Sequence, residues 1–370
     1  MLNKIAVLPG DGIGPEVIAQ AVKVIEAIND KYNHKIELTY ADIGAIAIDK
    51  SGNPLPQATK DICENSDAVL LGAIGDPKYD NDPSIKVRPE QGLLGLRKLL
   101  GLYANVRPIK SYESLLDMSP LKREIIKGVD LVIYRELTGG IYFGKKGSDP
   151  TGDNAFDTCE YSKEEIRRIA IPAFEASQKR KKKLTLVDKA NVLETSRLWR
   201  SVVKDLHKEY PDVEVDYLFI DNAAMQIILN PSRFDVILCG NMFGDIISDE
   251  ASVIAGSIGL LPSSSFGESH CMFEPVHGSY PQAAGTDKAN PIATILSTAM
   301  MFDHFNMTKE ANDVYAAVNR CIRESILTED LDPRIFTSCS ELGDIIYSLI
   351  YDDMLEFNTK KMSTAKSVII

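Results

Sequence analysis

The 370-residue chain lacks any apolar run of the length a membrane span needs. It also lacks a basic excess, since 41 Lys and Arg stand against 53 Asp and Glu for a net charge of -12. Nucleic acids and anionic lipid surfaces both select basic faces, so neither is an expected partner. A small anionic substrate is still admissible if a few arginines focus positive potential locally. Cysteine is sparse: Cys63, Cys159, Cys239, Cys271, Cys321 and Cys339 are scattered without CxxC spacing. They read as free thiols in a reducing cytoplasm. The opening MLNKIAVLPGDGIGPE has neither the apolar stretch nor the cleavage site of a secretory signal. A Walker-type phosphate loop is absent too, which argues against that class of phosphoryl transfer. What is present is ordinary globular composition, 44% apolar and 25% charged, and the length favours two domains over one core.

Strand-like and helix-like stretches alternate through the first third. A strand over 4–8 passes through glycines into a helix that Pro15 opens and that runs to about Asn29. A strand over 36–40, a helix after Pro56, a buried strand over 68–71, a helix over 90–100 and a strand over 104–107 follow. This rhythm predicts a mostly parallel sheet with helices on its faces. In the middle third the strand ends carry charge. The run 131–134 meets Arg135, and 184–187 meets Asp188 and Lys189 before a helix holding Leu193 and Trp199. The run 215–220 meets Asp221 and a helix over 222–229, and 236–238 meets a glycine turn over 240–244, then Asp245. Ligands of open α/β sheets bind outside the carboxyl ends of strands, so these ends are read as one site.

Residues 141–161 interrupt the pattern with β-rich ends (141–143 and 155–161) around a turn-rich centre. A two-stranded arm with so little core is expected to pair with a partner chain. Ser162 to Glu165 forms a capping box for a helix to about Lys182, and the basic run 179–183 reads as its solvated end. Three helical stretches follow residue 290, and 364–370 carries no signal.

Asp245 and Asp249 stand four apart in GDIISDEAS, on one face of a helix with Ile246 and Ile247 turned away. Bare, the pair repels by a few tenths of a kcal/mol; a divalent cation reverses that sign, and hard oxygen donors suit Mg²⁺ or Mn²⁺. Taken alone, the pair is equally two exposed carboxylates near a helix start. Asp221 at a neighbouring strand end tips the reading towards metal. Arg97, Arg107 and Arg135 lie near the ends of consecutive elements, and guanidinium groups suit bidentate carboxylate binding. Lys189 and Tyr142 are candidate proton-transfer groups. GDGIGPE fails as a dinucleotide fingerprint, because Pro15 and Glu16 replace the third-glycine spacing. His277 and Gly278, in the loop-like stretch 274–291, could approach an adenine ring.

Together, GDGIGPE, RPEQGLLGLR, NVRP, RELTGGIYFG, VDKANVLE, IDNAAMQ, GNMFGDIISDEAS and EPVHGS stand in the order found in the isocitrate/isopropylmalate dehydrogenases. The chain resembles that family over nearly its whole length. The resemblance implies a two-domain α/β fold, a mixed central sheet flanked by helices and distinct from a Rossmann fold. One domain would comprise 1–102 plus 256–370 and bind NAD; the other would comprise 103–255 with a dimerisation arm at about 141–161. A homodimer with shared sites is implied: Asp245 and Asp249 hold Mg²⁺ or Mn²⁺ in one subunit, while Lys189 and Asp221 arrive from the other. Arg97, Arg107 and Arg135 would hold the malate carboxylates, with Asp221 also near substrate. Lys189 would help remove the C2 hydroxyl proton and Tyr142 would reprotonate C3.

The resemblance further implies that Glu90, Leu93 and Leu94 choose the substrate. Two leucines suit an isopropyl group and leave isocitrate's extra carboxylate without a partner, so 3-isopropylmalate is expected. D-malate or tartrate turnover, or a non-catalytic regulatory subunit, are the alternatives. NAD would lie along Ile13, His277, Gly278 and Asn290, with Glu274 and Gln282 near its ribose, and Lys288 keeps NADP open. A role in leucine biosynthesis in the cytoplasm follows.

Overall fold

The computed structural model describes residues 2–79, 85–334 and 336–352. The chain opens with β1 (Lys4–Gly10), α1 (Gly14–Tyr32), β2 (Glu37–Tyr40), α2 (Ala45–Ser51), α3 (Gln57–Glu64), β3 (Ala68–Ala73) and α4 (Pro89–Leu99). Next come β4 (Ala104–Lys110), the short α5 (Arg123–Ile126), β5 (Asp130–Glu136), β6 (Lys146–Ser148), β7 (Ala155–Asp157) and α6 (Lys163–Lys179). β8 (Lys183–Asp188), α7 (Glu194–His207), β9 (Glu214–Phe219), α8 (Ile220–Leu229), β10 (Val236–Cys239) and α9 (Asn241–Ala255) continue the alternation. β11 (Pro262–Phe266), β12 (Cys271–Pro275), α10 (Ile292–His304), α11 (Thr308–Arg323) and α12 (Cys339–Ile350) complete it.

Ten strands form one sheet in the order β2-β1-β3-β12-β11-β4-β5-β10-β8-β9. The sheet is mixed: β11 runs antiparallel to both neighbours and β4 antiparallel to β5, while the other pairs are parallel. Interior strands such as β3 and β10 are buried along their whole length, as strands covered on both faces must be. The strands from 1–102 and 256–370 occupy one side, those from 103–255 the other. They meet where β11 pairs with β4 in the register Ser264↔Val106. Because β5, β10, β8 and β9 are parallel, their carboxyl ends open on one side, and the charged residues named above follow them.

Several local expectations change. The arm is antiparallel, but its first strand is β6, not 141–143. Gly140 turns with φ of 70° and starts a 3-10 turn over Gly140–Tyr142, against which the Tyr161 ring packs. The expected glycine turn 240–244 is instead the first turn of α9. Gly240 caps it in an extended conformation, and Gly244 is small because a Cβ there would sit 2.6 Å from Arg135 Cγ. Asp221 does not end a strand; β9 stops at Phe219 and Asp221 lies in the first turn of α8, where the helix dipole favours a carboxylate. Leu193 precedes α7 as its cap residue. The run 179–183 is not uniformly solvated: Arg180 is buried between Asp130 (2.6 Å) and Asp235 (2.7 Å) and fastens the end of α6 to the sheet. α2 had no expectation, and 364–370 lies outside the described residues.

Candidate active site

β4 and β5 bring Asn105 opposite Arg135, with Arg107 two residues along β4 and so on the same face. Arg107 and Arg135 are 7% and 2% exposed, so each needs partners. Arg107 donates from Nε to Asn105 Oδ1 (2.7 Å) and from Nη1 to Ser248 Oγ (2.6 Å) and Asp249 Oδ1 (3.2 Å). Its Nη2 reaches Asp245 Oδ1 at 3.5 Å. Arg135 donates to Asp245 Oδ1 from Nη1, and from Nε (3.2 Å) and Nη2 (2.8 Å) to Asn241 Oδ1. The Tyr142 hydroxyl donates to Asp245 Oδ2 at 3.1 Å. Asp245, Asp249, Arg107, Arg135 and Tyr142 are thus one cluster.

Arg97, in the last turn of α4, is buried and pairs with Glu274 at 2.8 Å; its Nε has no hydrogen-bond partner among the described residues. Burial, then Arg107, pushes the Arg135 guanidinium down to about 10, with Asp245 opposing and Arg97 adding to the shift. Each of the three guanidinium groups already faces a carboxylate: Arg97 has Glu274, Arg107 has Asp249 and Arg135 has Asp245. Burial also raises the Asp249 carboxyl, against the pull of Arg107, and raises the Tyr142 hydroxyl, with Asp245 adding to it.

Lys189 follows β8 and donates from Nζ to Asp221 Oδ1 at 2.7 Å, which holds the Asp221 carboxyl below its usual range. This pair makes no hydrogen bond to the Asp245 cluster. Among the described residues no three metal-ligating side chains converge. Asp245 and Asp249 offer hard carboxylate oxygens and fit half of a divalent-cation site; the remaining donors must come from beyond them.

On α4, Leu96 and Leu100 are core residues, and half-buried Leu93 packs on the same cluster. Leu94 is half-buried outside it, and Glu90 is exposed. Leu94 and Arg97, three apart, share a helix face.

Ile13, His277, Gly278 and Asn290 line one open pocket of about 230 Å³, with Tyr280, Lys288 and others. The glycine turn after β1 joins this loop directly, since Ile13 N–H donates to Ser279 O at 2.8 Å. His277 Nδ1 meets Gly278 O at 2.9 Å. A carbonyl only accepts, so Nδ1 carries the proton and Nε2 is an acceptor. Nε2 is buried and has no partner among the described residues. A Cβ on Gly278 would meet nothing within 4 Å. A flat heteroaromatic ring bearing an N–H donor, such as adenine, fits these features. Glu274 is committed to Arg97, Gln282 is exposed on the turn Pro281–Ala283, and Lys288 pairs with Glu329 at 2.9 Å. Asn105, Asn241 and Ser248, which hold the arginines, had escaped the sequence reading. For Asn105 a signal existed, two residues before Arg107 on the same strand face.

A larger apolar cavity of about 330 Å³ lies at the root of the arm, lined by Ile141, Tyr161, Leu193, Trp199, Met242 and Phe243 among others. Arg97, Arg107 and Arg135 do not line it.

Fold and sequence together mark the chain as a dehydrogenase. The sequence profile of the isocitrate/isopropylmalate dehydrogenase family matches residues 4–346, and the chain belongs to that family. It is 56% identical over 333 residues to a 3-isopropylmalate dehydrogenase of Clostridium acetobutylicum, covering 89% of this chain and 93% of that one. It is 53% identical over 349 residues to the 3-isopropylmalate dehydrogenase of Thermotoga maritima, covering 93% and 98%. Among solved structures, an isocitrate dehydrogenase from Methylococcus capsulatus superposes with a TM-score of 0.85 at 33% identity, covering 94% and 99%.

Proposed function

We propose that the protein catalyses the NAD-dependent oxidative decarboxylation of (2R,3S)-3-isopropylmalate to 4-methyl-2-oxopentanoate and CO2, a step of leucine biosynthesis in the cytoplasm. The observation that carries this reading is the cluster of buried Arg107 and Arg135 with half-buried Asp245 and Tyr142, and half-buried Leu94 on the helix face that also bears Arg97. High identity to relatives named for this activity supports the substrate. Burying the three carbons of an isopropyl group adds about 2 kcal/mol at about 0.8 per carbon, or roughly thirtyfold over plain malate.

Arg97, Arg107 and Arg135 orient the two carboxylates so that C2 faces the cofactor and C3 faces Tyr142. Lys189 relays the C2 hydroxyl proton, passing an ammonium proton to the Asp221 carboxylate as it takes the one from the hydroxyl. Tyr142 Oη delivers a proton to C3 once carbon dioxide has left, and Arg135 and Asp245 hold it in place meanwhile. When bound at Asp245 and Asp249, Mg²⁺ or Mn²⁺ supplies Lewis-acid polarisation of the C2 oxygen, and NAD supplies the hydride acceptor. His277, Gly278, Ile13 and Asn290 would seat the adenine. Glu274 and Gln282 are nearer its ribose, and Glu274 reaches it only by leaving Arg97.

The parts held by Lys189 and by Asp245 complete each other in a homodimer, where Lys189 and Asp221 of one copy enter the other's site. In this reading 1–102 with 256–370 and 103–255 act as two domains around that cleft.

The test is NAD⁺ reduction by purified protein against 3-isopropylmalate, D-malate, tartrate and isocitrate, with and without EDTA. 3-Isopropylmalate should show the highest kcat/KM, and EDTA should abolish turnover. A higher value for D-malate would overturn the leucine-pocket argument. Failure on all four with Mn²⁺ present would favour a non-catalytic subunit, against which Tyr142 seated on Asp245 argues.

A further inference from the structure

Asn241 is 1% exposed, and its polar groups go to three different segments. Its Oδ1 accepts from Nε (3.2 Å) and Nη2 (2.8 Å) of Arg135. Its Nδ2 donates to Gly139 O at 3.1 Å, and its backbone N–H donates to Tyr161 Oη at 2.8 Å. Gly139 and Tyr161 are the two roots of the arm: the chain leaves the body of the protein at one and returns at the other. Tyr161 is held firmly, its ring edge-on to Trp199 at 5.4 Å. A Cβ on Gly240 would lie 3.0 Å from its hydroxyl. One residue at the start of α9 therefore joins a buried guanidinium to both ends of an otherwise exposed projection.

The choice of an amide is chemically informative. A carboxylate at this position would orient Arg135 equally well but would also neutralise it. Arg135 already faces one carboxylate, Asp245, and an amide oxygen fixes the guanidinium without setting a second negative charge against it. Arg107 is held in the same way, from Nε by Asn105 Oδ1. A lost acceptor would leave buried N–H groups of Arg135 unpaired and free to take another geometry.

We propose that Asn241 is a positioning residue that locks the Arg135 guanidinium to both roots of the arm, so that affinity for the anionic substrate depends on how the arm is seated. This rests on the reading above only for the identity of the anion. The experiment uses the full chain with three variants, Asn241→Ala, Asn241→Asp and Tyr161→Phe. Steady-state kinetics are combined with hydrogen–deuterium exchange of the arm segment 146–157 and thermal unfolding.

Asn241→Ala should raise KM for 3-isopropylmalate about tenfold, leave KM for NAD unchanged and move kcat by less than about threefold. Asn241→Asp should raise the same KM further, because it sets a second carboxylate beside Asp245 against Arg135. Tyr161→Phe keeps the Asn241 side chain and its bond to Gly139 but cuts its link to the other root of the arm. It should raise that KM about threefold and speed exchange over 146–157. Unchanged substrate KM in Asn241→Ala or in Tyr161→Phe would overturn the proposal. So would equal losses for substrate and NAD accompanied by a lowered melting temperature, which is the mark of a merely structural role. If the unmutated protein fails to turn over 3-isopropylmalate, the functional reading falls, and exchange over 146–157 alone decides this one. Faster exchange in Asn241→Ala supports it, and unchanged exchange overturns it.

Discussion

Leu93 and Leu94 are adjacent in sequence but differ in what surrounds them. Leu93 packs on the cluster that contains Leu55, Leu96 and Leu100, whereas Leu94 lies outside it. Replacing each by Ser should separate specificity from stability. Leu94→Ser should lower the ratio of kcat/KM for 3-isopropylmalate over D-malate about tenfold or more with little change in urea midpoint, whereas Leu93→Ser should lower both. His277 gives a pH test. Burial holds its imidazole below the ordinary value, with Gly278 O opposing. The folded state therefore binds that proton less readily than the unfolded chain. Its contribution to stability is full above about pH 6.5 and is lost as pH falls from there towards the folded value. In the folded protein Nε2 stays an acceptor to a pH below 6.5, so NAD affinity should be flat from about pH 8 through 6.5 and weaken only as pH nears the lowered folded value. His277→Ala should raise KM for NAD about fivefold and flatten that acid limb, measured by NADH fluorescence titration. At this scale the sequence showed residue types well and partners poorly. Asp245 and Asp249 were legible from four-residue spacing. Glu274 and Arg97, 177 positions apart, were assigned to different ligands, and the fold also pairs them with each other. No periodicity reports such a contact.

Helices and strands were the most legible level, because Pro15, the Ser162 capping box and the fully apolar 68–71 stretch are local signals. The failures were also local and share a cause. Gly139, Gly140 and Gly244 were read as conformational signals or ignored, but two of the three are small because something packs on them. Gly244 shows no positive φ and makes room for Arg135. Gly244→Ala should therefore leave α9 helical yet displace the guanidinium. KM for substrate would rise about tenfold with circular dichroism unchanged, whereas unaltered kinetics would show that the side chain yields freely. The basic run 179–183 misled for a different reason. Charge clusters are usually solvated, and only the fold reveals that Arg180 sits between Asp130 and Asp235. Arg180→Met leaves Asp235, 2% exposed at its side chain, without its counter-ion. It should cost about 3–5 kcal/mol in urea unfolding while KM for substrate and NAD stays unchanged.

At the scale of the whole molecule, the proposed mechanism has to bring Lys189–Asp221 to Asp245–Asp249, which among the described residues form no common metal-ligating cluster. α8 carries Asp221 on the same face as Met225 and Leu229, which are 56% and 62% exposed, and Ile246 on α9 is 55% exposed beside Asp245. Apolar side chains in these positions suit an isologous interface that would carry the lysine of each copy into the other's cluster. The consequence is testable by complementation. Lys189→Ala and Asp245→Asn should each be inactive as homodimers. When the two are unfolded together and refolded, each mixed dimer contains one site with the intact Asp245 of one chain and the intact Lys189 of the other. Random pairing makes about half the dimers mixed, with one working site of two, so activity should return to about a quarter of the unmutated level. A site built within one chain predicts no recovery at all, because every chain then carries a defect in its own site. Adding Leu229→Asp to both variants should abolish the recovery, with sedimentation showing monomers of unchanged secondary structure.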